Sequence, residues 1–268
     1  MRPVFLMCRP DYYGIDYVIN PWMNRAVQAD GERALVQWER LHALIKDELH
    51  GEVLLIPPVK GLPDMVFTAN AGYLDGNLFI PSRFRYAERR GEEPYFKKWF
   101  KDAGYDTREL SRQAGYFEGF GDVLPLGDTL FAGYRFRSDI ASHKEVGRIT
   151  GRRVVSLELV EQWFYHLDTC FCPLPSGELI YYPGAFDRYG QKIIEETVAA
   201  EKIIAVGDDE AKTFCCNAVA ADNTVVMNTG APELTKVLER RGMKVVTTDL
   251  SEFIKSGGSA KCLTLRLR

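Results

Sequence analysis

The chain has no apolar stretch long enough to cross a bilayer and no hydrophobic leader behind Met1-Arg2-Pro3-Val4-Phe5, so a cytoplasmic protein without a membrane partner is expected. It has no excess of positive charge. Its 34 Lys and Arg stand against 37 Asp and Glu, a net charge of −3, which argues against a nucleic-acid binder. No low-complexity segment or linker interrupts the 268 residues, and one domain spanning residues 1–268 is expected. Disulfide spacing is absent as well. The six cysteines are Cys8, Cys170, Cys172, Cys215, Cys216 and Cys262, and their close pairs suit neither a disulfide framework nor a zinc ribbon. In strands they read as small buried hydrophobes. A metal site from His166, Cys170 and Cys172 would require strand alternation to bring all three side chains together.

What the chain does have is a recurrence. Asn70-Ala-Gly-Tyr-Leu-Asp-Gly-Asn-Leu-Phe-Ile, Asp122-Val-Leu-Pro-Leu-Gly-Asp-Thr-Leu-Phe-Ala, Asp168-Thr-Cys-Phe-Cys-Pro-Leu-Pro-Ser-Gly-Glu-Leu-Ile and Asn217-Ala-Val-Ala-Ala-Asp-Asn-Thr-Val-Val-Met each read as a polar residue, a short strand, a turn and a second strand. Successive starts lie 52, 46 and 49 residues apart; a further 45 residues reach Cys262, and 50 residues back from Asn70 lies Asn20. A steady period of this size marks a repeat fold. Helical segments are expected over Asn24–Leu49, Glu92–Ala103, Ser142–Ile149, Gln191–Ala200 and Pro232–Arg241. Returning strands are expected over Val53–Ile56, Thr107–Leu110, Val154–Leu157, Ile203–Val206 and Val245–Thr247. Five helices match six polar markers if the strand after Cys262 pairs with the N-terminal segment, closing a ring that leaves no open edge. Equivalent positions of such a ring meet at its axis, where two acids, three amides and a thiol would face one another.

Those residue types suit one kind of chemistry. Cys262 follows the small-residue loop Ser256-Gly-Gly-Ser-Ala-Lys261, and beside Lys261 its thiol is expected to have a lowered pKa and to act as a nucleophile. A buried structural cysteine is the alternative. In a strand, His166 and Asp168 would project to one face, giving a general acid/base beside a carboxylate. The other three histidines, His42, His50 and His143, are expected at the surface. Glu118-Gly-Phe-Gly-Asp122 adds two more acids. Several carboxylates around one pocket need a cation to share, and a guanidinium serves them best because it is planar, permanently charged and a bidentate donor.

Four stretches, Pro63–Gly72, Phe117–Asp122, His166–Thr169 and Gly257–Thr264, resemble the guanidino-group-modifying superfamily, the penteins or amidinotransferase family. The resemblance covers essentially the whole chain. It implies a five-bladed α/β propeller, a mechanism free of metal and cofactor, and a small guanidino substrate such as arginine or a methylated arginine. It further implies that Cys262 attacks the guanidinium carbon, that His166 protonates the departing ammonia or amine and then activates water, and that Glu118 and Asp168 hold the guanidinium nitrogens. Arg89, with Arg90 adjacent, and Arg137 or Arg135 are the candidates for the substrate carboxylate, and Asp64 and Asp122 join the substrate-binding set. Asn70, in Thr-Ala-Asn-Ala-Gly, and Asn20, in Ile-Asn-Pro-Trp-Met, look like the arginine dihydrolase branch. Arginine deiminase, dimethylarginine dimethylaminohydrolase and amidinotransferase are the enzymatic alternatives, and a ribosome-binding propeller the non-enzymatic one. Asp11–Trp22 either covers the pocket or packs on the propeller face, and a homo-oligomer is compatible with the chain.

Overall fold

The recurrence becomes five three-stranded sheets of a single topology in the computed structural model, which describes residues 2–268. The strands are β1 (Val4–Cys8), β2 (Glu52–Ile56), β3 (Gly72–Asp75), β4 (Leu78–Pro81), β5 (Asp106–Thr107), β6 (Val123–Leu126), β7 (Thr129–Tyr134), β8 (Arg153–Glu158), β9 (Phe171–Pro173), β10 (Leu179–Tyr181), β11 (Ile203–Ala205), β12 (Val219–Ala221), β13 (Thr224–Asn228), β14 (Lys244–Thr248) and β15 (Leu265–Arg266). In four sheets an antiparallel hairpin is followed by a helix and a parallel returning strand: β3-β4-β5, β6-β7-β8, β9-β10-β11 and β12-β13-β14. The fifth is assembled from both ends of the chain. β15 pairs antiparallel with β1, Phe5 opposite Arg266 and Leu6 opposite Leu265, and β1 pairs parallel with β2.

The connecting helices lie close to their expected places, with limits set by their caps. The first spans Gly31–Asp47 rather than beginning at Asn24, because the Asp30 carboxylate accepts from Arg33 N and caps it there. It buries Ala34, Trp38, Leu41 and Ile45, spaced at helical intervals, against Phe5, Met7 and Phe253. The others run Glu93–Asp102, Ile140–Thr150, Arg188–Thr197 and Pro232–Arg240. Asp187 caps the fourth by accepting from Gly190 N at 2.7 Å, which sets its start ahead of Gln191. The strand expected over Thr107–Leu110 shortens to Asp106–Thr107. No helix among the described residues is long and apolar enough to cross a membrane.

Five polar residues, Asn70, Asp122, Asp168, Asn217 and Cys262, each stand just ahead of the first strand of a sheet, three of them on or beside 3₁₀ turns (Thr68–Ala71, Gly119–Gly121, Leu167–Thr169). Asn20 is not a sixth. It lies in the irregular segment after β1, so five markers serve five sheets. His166 and Asp168 likewise do not share a strand face; His166 precedes a 3₁₀ turn and Asp168 lies within it. His143 is buried rather than exposed, its Nδ1 2.7 Å from Ser156 Oγ and its Nε2 3.2 Å from Gly133 O; burial lowers its pKa to about 4.

Candidate active site

The turns ahead of the sheets are cross-linked to one another. Asp122 Oδ1 accepts from Leu167 N at 3.1 Å, Asn217 Nδ2 donates to Asp168 O at 2.9 Å, and Ala69 N donates to Cys262 O at 3.1 Å. The first two bonds tie three sheets together and the third ties the other two, at the point where their polar residues converge.

Cys262 sits at this junction, buried. Asn217 Nδ2 donates to its Sγ at 3.1 Å, while Asn217 Oδ1 accepts from Ser259 N and Cys262 N, each at 3.1 Å. One fully buried amide therefore clamps the loop and supplies a donor to the sulfur. Sequence reasoning gave Asn217 a place in the repeat but no role. The Sγ also lies 3.5 Å from Asp168 Oδ2. The lowered thiol pKa expected from Lys261 is overturned: burial and the Asp168 charge push it well up, against the smaller pull of Ser259 N, Asn217 and Lys261. Burial likewise raises Asp168, to about 7, with Lys261 and the thiol opposing. A hydrogen bond to a charged group contributes about 1.5–3 kcal/mol. Asn217→Ala should therefore slow alkylation of Cys262 by iodoacetamide at neutral pH by about tenfold or more. An unchanged labelling rate would show that the Asn217 contact does not stabilise the thiolate.

Glu118 and His166 form the second half of the site. His166 Nε2 lies 2.7 Å from Glu118 Oε2, and Arg137 Nη1 donates to the same oxygen at 3.0 Å. Burial alone would raise the Glu118 pKa, but Arg137 and the His166 hydrogen bond hold it well below the ordinary carboxylate value. His166 is lowered to about 4, chiefly by burial, against the raising pull of Glu118. Both directions describe one state: an ionised Glu118 accepting Nε2–H from a neutral imidazole. Nδ1 then carries the lone pair, the form a proton carrier needs.

Glycines let these groups approach. A Cβ on Gly121 would fall 2.3 Å from Asn70 Nδ2 and 3.2 Å from the His166 ring, so the amide and the imidazole pack on one bare backbone. Gly119, at φ +56°, passes within 2.4 Å of Gly72 O by the same measure.

The arginines divide clearly. Arg89 is buried and donates to Glu92 from Nε and Nη2 at 2.8 Å each, to Asn70 Oδ1 from Nη1 at 2.9 Å and to Asp64 O from Nη2 at 3.2 Å. Arg137, between the rings of Tyr86 and Tyr165, donates only to Glu118 and, at 3.2 Å, to Ile19 O among the described residues. The alternatives fall outside: Arg135 is at the surface with Glu158, and Arg90 donates to Phe84 O and Arg85 O. Glu92 and Tyr165, which the sequence did not single out, hold the two arginines in place; Tyr165 OH donates to Gly257 O at 2.8 Å. Nothing in the sequence marks Glu92, since the Arg89–Glu92 pair is visible only once the turn is folded.

Two expected substrate ligands are occupied by the protein itself. Asp122 Oδ2 accepts from Ser138 Oγ at 2.6 Å and its other oxygen holds Leu167 N, so it organises the turn. Asn20 donates to Ser256 O at 3.0 Å and accepts from Trp22 N at 2.9 Å, anchoring the segment Asp11–Trp22. That segment packs firmly, through Tyr13 OH on Ser256 Oγ and Trp22 Nε1 on Trp163 O, and its Ile19 carbonyl reaches Arg137. By contrast, Asp64 Oδ1, Asn70 Nδ2, Asp168 Oδ1 and Ser259 Oγ are buried with no hydrogen-bond partner among the described residues. Buried polar atoms are almost always paired, so these orphans, on Asp168 and Ser259 beside the thiol and on Asp64 and Asn70 beside Arg89, mark a site built for a polar ligand. The His166-Cys170-Cys172 cluster does not form: Cys170 and Cys172 donate to backbone carbonyls, and no group of three metal-ligating side chains converges among the described residues.

A family model described as N,N dimethylarginine dimethylhydrolase, eukaryotic, matches residues 2–268. The bifunctional arginine dihydrolase/ornithine cyclodeaminase AgrE of Nostoc sp. is 49% identical over 266 residues, covering 98% of this chain and 37% of its own length; the chain thus spans little more than a third of that relative. An N(G),N(G)-dimethylarginine dimethylaminohydrolase of Mycobacterium tuberculosis is 39% identical over 98% of this chain and 85% of its own. Among solved structures, the product-bound N-terminal domain of ArgZ, a cyanobacterial arginine dihydrolase, superposes with a TM-score of 0.96 at 48% identity, covering 100% of this chain and 98% of that one.

Proposed function

The chain belongs to the dimethylarginine dimethylaminohydrolase family of guanidino-group-modifying enzymes, and from that membership we propose that it hydrolyses arginine through to ornithine, with Cys262 as nucleophile. Residues 1–268 are read as one catalytic domain, and the five sheets, one completed by both chain ends, as a closed five-bladed ring. The six unpaired thiols suit the reducing cytoplasm.

The guanidinium of arginine supplies the cation that three buried acids, Asp64, Glu118 and Asp168, lack a full complement of. Its arrival beside Cys262 also lowers the thiol pKa, so the nucleophile ionises when substrate is present. Arg137, with the donors it has left, and the remaining N–H of Arg89 hold the substrate carboxylate. Neutral His166 takes the thiol proton on Nδ1 as the Cys262 sulfur bonds to the guanidinium carbon, then passes that proton to the departing ammonia, and the C–N bond breaks to leave a thiouronium on the sulfur. Neutral His166 next takes a proton from water, which adds to the same carbon and expels the thiolate, giving a ureido group. A second round on that group releases ornithine, so arginine and two waters yield ornithine, two ammonia and carbon dioxide.

The observation that carries the dihydrolase reading is the orientation of Asn70. Arg89 occupies its carbonyl, which leaves Nδ2, packed on Gly121 beside the His166 ring, as a donor. A donor suits a neutral ureido oxygen and retains it for the second attack. An aspartate there could only accept, and would favour the guanidinium over the ureido group. Asn70→Asp should therefore shift the main product from ornithine to citrulline, lowering the ornithine-to-citrulline ratio by at least about tenfold. Ornithine persisting as the main product would remove this account. The direct test is to incubate purified protein with L-arginine and quantify citrulline, ornithine and ammonia together; two ammonia per ornithine are expected. The family match and the Mycobacterium relative support a second reading, dimethylarginine as substrate. Dimethylamine release with no turnover of arginine would establish it instead.

A further inference from the structure

The first strands of the sheets run from the polar junction to the hairpin turns, and a cavity of about 430 Å³ extends along them, from Phe120, Cys216 and Lys261 beside the junction to the turns. It is walled by the β6–β7 turn (Leu124–Gly127), the β9–β10 turn (Phe171–Gly177), β12 and the end of β15. Its volume falls within the ~300–1,000 Å³ of small-molecule sites. Most of the wall is apolar, including Leu126, Phe171, Leu174 and Val219. The charged residues are of one sign: Lys261 and Arg266 line it, and no Asp or Glu does, in a chain whose net charge is −3.

Lys261 is the telling group. Its ammonium lies 5.0 Å from the centre of the Phe120 ring and enters no ion pair or hydrogen bond among the described residues. Three donors on a largely enclosed cation are thus unused, and an apolar wall offers them nothing. Arg266 donates to the Ala220 carbonyl and to the main-chain oxygen of Arg268, the last residue, and no Asp or Glu side chain pairs with it among the described residues, so Lys261 is the free cation of the wall. Apolar walls with convergent cations define the complementary ligand: a small carboxylate with an apolar body.

We propose that this cavity is a second binding site, for a small aryl or branched-alkyl carboxylate whose head pairs with Lys261 and whose body lies between Leu126, Phe171 and Val219. The site communicates with the thiol through one residue. Lys261 precedes Cys262, and its positive charge stabilises the ionised forms of both Cys262 and Asp168. A carboxylate paired with Lys261 offsets that charge, so occupancy disfavours the thiolate and slows attack. The inhibitory consequence rests on the function proposed above; the binding does not.

The probes are 4-phenylbutyrate and its neutral amide, titrated calorimetrically into the full chain whose Cys262 has been carbamidomethylated to block the arginine pocket. Saturable one-site binding of the acid is expected, with the amide about tenfold weaker or worse. Lys261→Met should weaken the acid by a similar factor and leave the amide unchanged. Ala220→Phe, which fills the wall without replacing either cation, should weaken both and guards against misfolding of the lysine variant. Equal affinity of acid and amide, undiminished binding to both variants, or loss of binding on alkylation of Cys262 would each overturn the proposal. With the unmodified protein, 4-phenylbutyrate should also slow iodoacetamide labelling of Cys262 without competing with arginine. This readout stands whether or not arginine is turned over.

Discussion

Cys262→Ser should reduce arginine turnover by at least about 10⁴-fold while leaving arginine binding within a few-fold of the native value. The sulfur is positioned by an amide donor at 3.1 Å and faces a carboxylate at 3.5 Å, so the site stabilises an anion only when a cationic substrate joins it. A serine hydroxyl keeps the shape and the Asn217 hydrogen bond, but its alkoxide lies far beyond what one amide and a guanidinium can stabilise. Calorimetric titration with arginine separates binding from chemistry, and the product assay measures the second. A variant retaining more than about 1% of native kcat would exclude covalent catalysis by this thiol. The raised pKa of the resting thiol adds a signature: alkylation of the native enzyme at neutral pH should be slow and should accelerate as pH rises.

Glu118→Gln should affect both stability and turnover. Glu118 is fully buried and serves Arg137 and His166 through one oxygen, with its other oxygen accepting from Arg85 N at 3.2 Å. An amide in its place leaves the buried Arg137 charge without a counterion, a defect that costs about 3–5 kcal/mol. Thermal unfolding should show it as a lowered Tm. Turnover should drop by about 10³-fold, because in the proposed mechanism the carboxylate steadies the guanidinium and fixes the His166 tautomer. The pH dependence has a defined sign. The Glu118 pKa lies below its ordinary 4.5, so the ionised group contributes stability above that value and loses it as pH falls through the lowered one. The Tm difference between native and variant should therefore be constant at neutral pH and narrow below about pH 4.5. A gap that widens in acid would contradict the ionised assignment.

Much of this protein follows from local pattern. Alternating apolar residues around Asp75-Gly76, Gly127-Asp128, Ser176-Gly177 and Asp222-Asn223 specify hairpins, since each turn places a residue at positive φ, at Gly76, Gly127, Gly177 and Asp222. Their even spacing specified five units, and the spare strand after Cys262 specified that the chain ends pair. The same period placed Asn70, Asp122, Asp168, Asn217 and Cys262 at equivalent positions, which is enough to make them neighbours. Periodicity says which residues meet, because it is a property of the backbone path.

It does not say what each side chain does there, because that depends on partners contributed by other units. Asp122 and Asp168 hold equivalent positions, yet Ser138 and Leu167 N saturate the first while the second meets the thiol with one oxygen and keeps the other without a partner among the described residues. Arg89 and Arg90 are adjacent in sequence, and only the helical turn Ala87–Arg90 decides that the former is buried against Glu92 and Asn70. The thiol pKa, expected to fall from a neighbouring lysine, rises because burial outweighs one cation. Sequence by itself determined the repeat, the convergence and the chemical classes that converge. Tertiary structure alone decided hydrogen-bond ownership, protonation and the orientation of Asn70, since these are set by desolvation and by contacts across sheets distant in the chain.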